Sequence, residues 1–308
     1  MGNRRLYRAT GINLKVTPLG EADRIVTILT DEYGLVRAVA PGARKQKTQL
    51  GGNTELFAIN ELVLVEGRSL DRISQADRVQ SLPYLRSSLT RLTVAQYWAE
   101  VVLYQALSDQ PQRELFLLLV EHLERLERSS SDASALPLLV HGLYHLLAIA
   151  GIAPQVRPCS DCPGTHEWSF SPDGGGVACH HCIGSQRPMQ RAILTSSTRA
   201  VLKLLPRPQL PDGIVSTGAG DLHLSENRDL QKQGVPELKA WRTVERLLRK
   251  SLHYHFDRDI QSAQLVDDCF ADAIAAQFDA NAVACEPNSL ARERVPKRVA
   301  EAGGGLYG

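Results

Sequence analysis

The chain has 308 residues, a formal net charge of +1, 43% hydrophobic and 22% charged residues. That length holds two domains and buries a core without help from disulfides. The near-neutral balance excludes a global electrostatic pull toward nucleic acid or a membrane, so any basic surface must be local.

The N-terminus, MGNRRLYRATG, contains no apolar run of signal-peptide length. Residues 1–82 then read as strands. INLKV (Ile12 to Val16) alternates apolar and polar, and RIVTILT (Arg24 to Thr30) and LVRAVA (Leu35 to Ala40) are short and rich in β-branched residues. DEYG, ending at Gly34, separates them as a turn. ELFAINELVLVEG and DRISQADRVQSL bring the count to about five. Five short strands in this span predict a small closed barrel, and the pattern fits an OB-fold or an SH3-like barrel alike.

After Pro83 the period becomes helical. Leu85, Leu89, Leu92, Ala99 and Leu103 recur at three- and four-residue steps, and Leu115, Leu119, Leu123 and Leu126 form a second stripe. LPLLVHGLYHLLAIAG is apolar nearly all round, as expected of the central helix of a bundle. Its two histidines, glycines and proline suit a buried helix better than a bilayer span. A helix is predicted from Ser196 or Ser197 to Pro206, and a last one over ELKAWRTVERLLRKSLHYHF, Glu237 to Phe256. The expected organisation is an α+β chain: barrel 1–82, helical domain 83–280 with zinc knuckles at 159–182, and an aperiodic tail 281–308 expected to be disordered. The compartment expected is the cytoplasm, with no membrane attachment.

Between the helices runs CSDCPGTHEWSFSPDGGGVACHHC. Cys159, Cys162, Cys179 and Cys182 form two C-x-x-C pairs sixteen residues apart, the spacing of a tetrahedral four-thiolate zinc site. In a reducing compartment such pairs are metal ligands rather than disulfides. WSFSPDGGG between them predicts a short hairpin with a glycine-rich turn. Four thiolates fill the zinc shell, which argues for a structural rather than a catalytic ion. No phosphate-binding loop, dinucleotide fingerprint, nucleophile elbow or H-E-x-x-H motif is present. The chain is therefore not expected to be an enzyme.

Two basic stretches are candidates for binding. PGARKQKTQLGG carries Arg44, Lys45 and Lys47 without an acid, with Arg37 just upstream. In a small barrel such a loop tracks phosphates. In the last helix Arg242, Arg246 and Arg249 recur at helical spacing, a face for DNA or an acidic peptide. The barrel aromatics, Tyr7, Tyr33 and Phe57, are too few for a base-stacking platform. An alternative reading is a zinc-ribbon adaptor of transcription or replication, whose ribbon itself contacts nucleic acid.

The order of these pieces resembles the bacterial RecO family of DNA repair and recombination mediators. The resemblance rests on E-x-D-R-I-V-T-x-L-T (Glu21 to Thr30), the G-A-R-K segment after the third strand, the paired C-x-x-C and L-x-Y-H (Leu252 to His255). It implies an N-terminal OB-fold and a helical domain with a zinc site. It also implies binding of single- and double-stranded DNA, annealing of complementary strands, and help in loading the RecA recombinase onto DNA coated by single-strand-binding protein. The implied partners are the ring-forming protein RecR and the acidic tail of the single-strand-binding protein. Arg37, Arg44, Lys45 and Lys47 are the DNA contacts expected, and Arg242, Arg246 and Arg249 the peptide contacts.

Overall fold

The computed structural model describes residues 5–45, 48–129, 131–156, 168–179, 191–211, 214 and 236–271. Five strands come first: β1 (Leu6–Leu19), β2 (Asp23–Thr30), β3 (Gly34–Ala40), β4 (Ile59–Val65) and β5 (Asp71–Gln80), with the short helix α1 (Gln49–Asn53) between β3 and β4. They close into a barrel in the order β1-β2-β3-β5-β4, and β1 is long enough to pair with both β2 and β4. The closing contact is parallel, with Ala38 opposite Asp71 and Val39 opposite Arg72. That crossover makes the barrel OB-like, a choice the alternation of the strands alone does not make. Small and branched residues fill the inside, including Ala9, Val26, Ile28, Ala38, Leu62, Leu64 and Ile73.

The helical part packs against one side of the barrel. It comprises α2 (Pro83–Ser87), α3 (Leu89–Gln105), α4 (Arg113–Arg128), α5 (Ala135–Ile149), α6 (Ser196–Leu204) and α7 (Leu238–Phe256), and residues 263–271 are helical as well. Ser88 caps α3 by accepting a hydrogen bond from the Arg91 amide. α5 lies at the centre, against α3, α4 and α7. With the helical turn before it, the stretch Asp132–Ile149 is the one among the described residues long and apolar enough to cross a membrane, and most of it is buried inside the protein. Gly142 lets α5 approach α3. A Cβ there would come within 2.7 Å of the Trp98 ring, whose Nε1 donates to the Leu139 carbonyl at 3.1 Å.

The barrel and helices share one apolar core, because Ile12, Leu14 and Leu29 on the barrel wall pack into the helical cluster. The β2–β3 turn docks on the α3–α4 connection. Gly34 adopts φ +65°, and a Cβ on it would meet the Leu107 and Gln110 carbonyls at 2.3 and 2.4 Å. The Leu35 amide donates to the Leu107 carbonyl at 2.8 Å, and Arg113 pairs with Asp31 at 2.6 Å.

Further along, β6 (Trp168–Ser171) and β7 (Gly176–Cys179) form the predicted hairpin, and β8 (Ala192–Ile193) adds a third strand on β6. The 281–308 tail lies outside the described residues.

α7 corrects one expectation. Arg242, Arg246 and Arg249 do not form a single open face. Glu245 is 0% exposed, and Arg242 is 5% exposed. Arg249 grips the Glu245 carboxylate through Nε and Nη2, at 2.8 and 2.6 Å, and the Tyr97 hydroxyl donates to it at 3.0 Å. Arg249 also donates to both Asp267 oxygens at 3.2 Å, and Arg242 pairs with Asp267 too. The reason is steric position: residues 242, 245 and 249 share the helix face that meets α3 and residues 263–271, so a charge there must be paired inside the protein. Only Arg246 of the three is exposed.

Two outcomes follow from this packing. Gly34→Ala places a side chain both at positive φ and against two carbonyls, and it should cost about 1–3 kcal/mol in denaturant unfolding. Glu245→Ala leaves buried guanidinium groups short of a partner and should cost about 3–5 kcal/mol, whereas Arg246→Ala should stay within about 0.5 kcal/mol. Equal losses for the last two would contradict the buried network.

Candidate nucleic-acid interface

A barrel strand points alternate residues inward and outward. On β2, Val26 and Ile28 fill the barrel, so Ile25, Thr27 and Leu29 face out. On β3, Val36, Ala38 and Ala40 fill it, so Leu35, Arg37 and Val39 face out. Strand register then aligns these side chains across the wall. Lys15 lies opposite Thr27, and Thr27 opposite Arg37. In the next row Thr17 lies opposite Ile25, Ile25 opposite Val39, and Val39 opposite Arg72 of β5. The two rows make a patch in which Thr17 is exposed, Ile25 and Val39 are half-buried and Thr27 is buried, bordered by three cations.

Lys15, Arg37 and Arg72 are exposed, and no carboxylate pairs with them among the described residues. Arg44 and Lys45 are exposed at one edge, on the loop after β3. The Arg44 amide donates to the Ala22 carbonyl at 2.9 Å, and its guanidinium donates to the Gly20 carbonyl. The loop thereby rests on the β1–β2 turn. Arg68, in the β4–β5 connection, is exposed as well. The patch thus occupies the β2–β3 wall together with the β1–β2 and β4–β5 loops, the surface through which OB-folds bind oligonucleotides. Lys47 lies outside the described residues.

Lys15 and Arg72 were missed in the sequence. Lys15 carries a readable signal, since it shares a phase with Thr17 on an alternating strand. Arg72 joins the patch only through the parallel β3–β5 pairing, which no local pattern encodes. Two other cations of the barrel are not available. Arg24 donates to the Gly51 carbonyl at 3.1 Å, and Arg78 donates to the Gly52 carbonyl, so both tie down α1. Among the described residues no aromatic of the barrel reaches the patch. Phe57 is buried, and Tyr7 and Tyr33 pack edge to face, 4.7 Å between centroids, against the barrel core. The Tyr7 hydroxyl donates to Asp71, and burial followed by that carboxylate holds its pKa well above the usual range.

The metal expectation is placed only in part. Cys159, Cys162 and Cys182 lie outside the described residues. Cys179 ends β7, buried, directly across from Trp168 at the start of β6. Cys179 and Trp168 thus sit side by side at the open end of the hairpin.

Comparison with known proteins agrees with this architecture. Residues 4–82 match the family model described as recombination protein O N terminal, and residues 86–214 match recombination protein O C terminal. The chain is 50% identical over 278 residues to a DNA repair protein RecO of Synechococcus sp. (strain JA-2-3B'a(2-13)), covering 87% of this chain and 91% of that one. It is 43% identical over 293 residues to the RecO of Nostoc punctiforme, with 87% and 97% covered. It is 43% identical over 269 residues to that of Gloeobacter violaceus, with 86% and 94% covered. With barrel, helical part and this extent of identity in agreement, the chain belongs to the RecO family of DNA repair proteins.

Proposed function

We propose that this protein is a recombination mediator without catalytic chemistry, which binds single- and double-stranded DNA and anneals complementary strands. In this reading it helps load RecA onto DNA coated by single-strand-binding protein, working with RecR in the cytoplasm. The observation that carries the reading is the pair of cross-strand rows on the barrel, Lys15–Thr27–Arg37 and Thr17–Ile25–Val39–Arg72. Annealing breaks no covalent bond. It requires two polyanions to be held close, and cations on the barrel wall reduce their repulsion. With no aromatic on the patch, the contacts are to phosphates rather than stacked bases, so binding follows charge and not sequence.

Lys15, Arg37, Arg44, Lys45 and Arg72 supply five cations toward the backbone. Neutralising five phosphates of a single strand gives a log–log salt slope of about −3.5. The acidic tail of the single-strand-binding protein needs exposed cations on the helical part. On α7 the exposed lysines and arginines are Lys239, Arg246 and Lys250, because Arg242 and Arg249 are committed to Glu245 and Asp267, and His253 pairs with Asp259 at 3.0 Å.

Zinc, in our reading, is held by Cys159, Cys162, Cys179 and Cys182 as a structural ion. The antiparallel register of β6 and β7 and the buried position of Cys179 support this arrangement. The ion would clamp the open end of the hairpin; it supplies folding energy and no reaction step.

Fluorescence anisotropy of a labelled single-stranded oligonucleotide at several salt concentrations tests the DNA reading. The unmodified chain should bind independently of sequence with the slope above. Lys15→Ala/Arg37→Ala/Arg72→Ala should lower the slope by about 2 in magnitude while retaining the wild-type melting temperature. Unchanged affinity in that folded variant would remove the barrel wall from the mechanism. For the metal, Cys159→Ser/Cys162→Ser should melt at a lower temperature and yield less soluble protein. Melting identical to the unmodified chain would rule out a structural ion.

A further inference from the structure

Three histidines meet inside the helical part, away from the barrel. His122 comes from α4, and His141 and His145 come from α5, one turn apart. His122 and His141 are buried, and His145 is partly exposed. One ligating atom from each lies within 4.8 Å of the others.

The hydrogen bonds fix how these rings are protonated. His141 Nε2 is 2.8 Å from the Arg207 carbonyl, and His145 Nε2 is 3.0 Å from the Leu205 carbonyl. A carbonyl only accepts, so both Nε2 atoms carry the proton and both Nδ1 atoms present lone pairs. His122 Nε2 stands 3.2 Å from His145 Nδ1 and must donate to it. Among the described residues the Nδ1 atoms of His122 and His141 are buried without a hydrogen-bond partner, and a buried acceptor left unpaired is costly. Burial, and secondarily the neighbouring His145, holds His141 down at about 4, and burial likewise keeps His122 well below the ordinary range. Three neutral imidazoles therefore converge, two of them oriented by backbone carbonyls. That is how histidine ligands are held when their other nitrogen binds a metal.

We propose that His122, His141 and His145 form a binding site for a divalent ion of the zinc class, distinct from the cysteine segment. His122 Nε2, His141 Nδ1 and His145 Nδ1 are its ligands. A tetrahedral ion with metal–nitrogen bonds of about 2.0 Å separates its ligand atoms by about 3.3 Å, close to the 3.2 Å between His122 and His145. The proton now between those two rings moves to His122 Nδ1, so binding releases none. Three imidazoles leave a fourth position for water, and the exposed edge of His145 gives ion and water a way in. Arg125 lies near, but its charge is answered by Glu121, which also acts on His145. An all-nitrogen set suits zinc, cobalt, nickel or copper and not magnesium or calcium.

The test uses the full chain equilibrated with zinc and freed of excess ion. The zinc X-ray absorption spectrum should contain a nitrogen shell at about 2.0 Å besides any sulfur shell at about 2.3 Å. In His145→Gln and in His122→Asn the nitrogen shell should disappear and bound zinc should fall by one ion per chain, with circular dichroism in chelator matching the unmodified chain. Absence of a nitrogen shell in the unmodified chain overturns the proposal whatever the variants do. A shell that persists in the folded His145→Gln variant overturns it too, since the nitrogen then comes from another histidine.

Discussion

The helical part is organised around a carboxylate that water does not reach. Glu245 is fully buried, and a buried charge is tolerated only when its partners are close and well aligned. Arg249 supplies a two-pronged grip, Arg242 and Tyr97 complete the shell, and Asp267 balances the second guanidinium charge. Burial, then the Glu245 charge, pushes the Tyr97 hydroxyl far above its ordinary pKa, so it stays a donor. This network joins α7 to α3 and to residues 263–271. It also withdraws two of the helix's cations from the surface, which limits what α7 can offer to an anionic partner.

The barrel solves a complementary problem on a single strand. The outer side of β1 must be apolar where the helices cover it and polar where solvent meets it. Ile12 and Leu14 enter the helical core, yet Lys15 faces outward beside Thr27. A shift of register between Asn13 and Lys15 makes this possible, because one extra residue changes which face the strand presents. Asn13 sits at that irregularity, and its Nδ2 donates to the Asn53 and Glu55 carbonyls at 2.9 and 2.8 Å. The joint to the helices and the basic wall are therefore products of the same bulge.

What was legible in the sequence was local. The strand at Ile12 to Val16, the DEYG turn, the stripe of α4 and the glycine turn between Trp168 and Cys179 depend on neighbours a few residues apart, and each element appears where the sequence placed it, although the bulge after Asn13 breaks the alternation of the first. What was not legible depends on pairing between distant segments. Arg72 reaches the wall only through the parallel β3–β5 contact, opposite Val39, and His122 meets His145 only when α4 packs on α5. The arginines of α7 illustrate the same point in reverse. Their spacing is readable, but whether that face meets solvent or a buried glutamate is decided by α3, about 150 residues earlier in the chain.

The chemistry of the wall bears on how a mediator of the proposed kind would work. A surface that captures single strands by stacking bases on aromatic rings occupies the base faces that stack on neighbouring bases in a duplex. Here the wall places exposed Thr17 and half-buried Ile25 and Val39 beside lysine and arginine, and the barrel's tyrosines are turned to the core. A strand held by its phosphates keeps its bases turned outward and free to meet a complement. The scarcity of aromatic residues is then no weakness of the interface. It is the condition under which one protein can hold a strand firmly and still let it anneal, with affinity set by charge and released by salt.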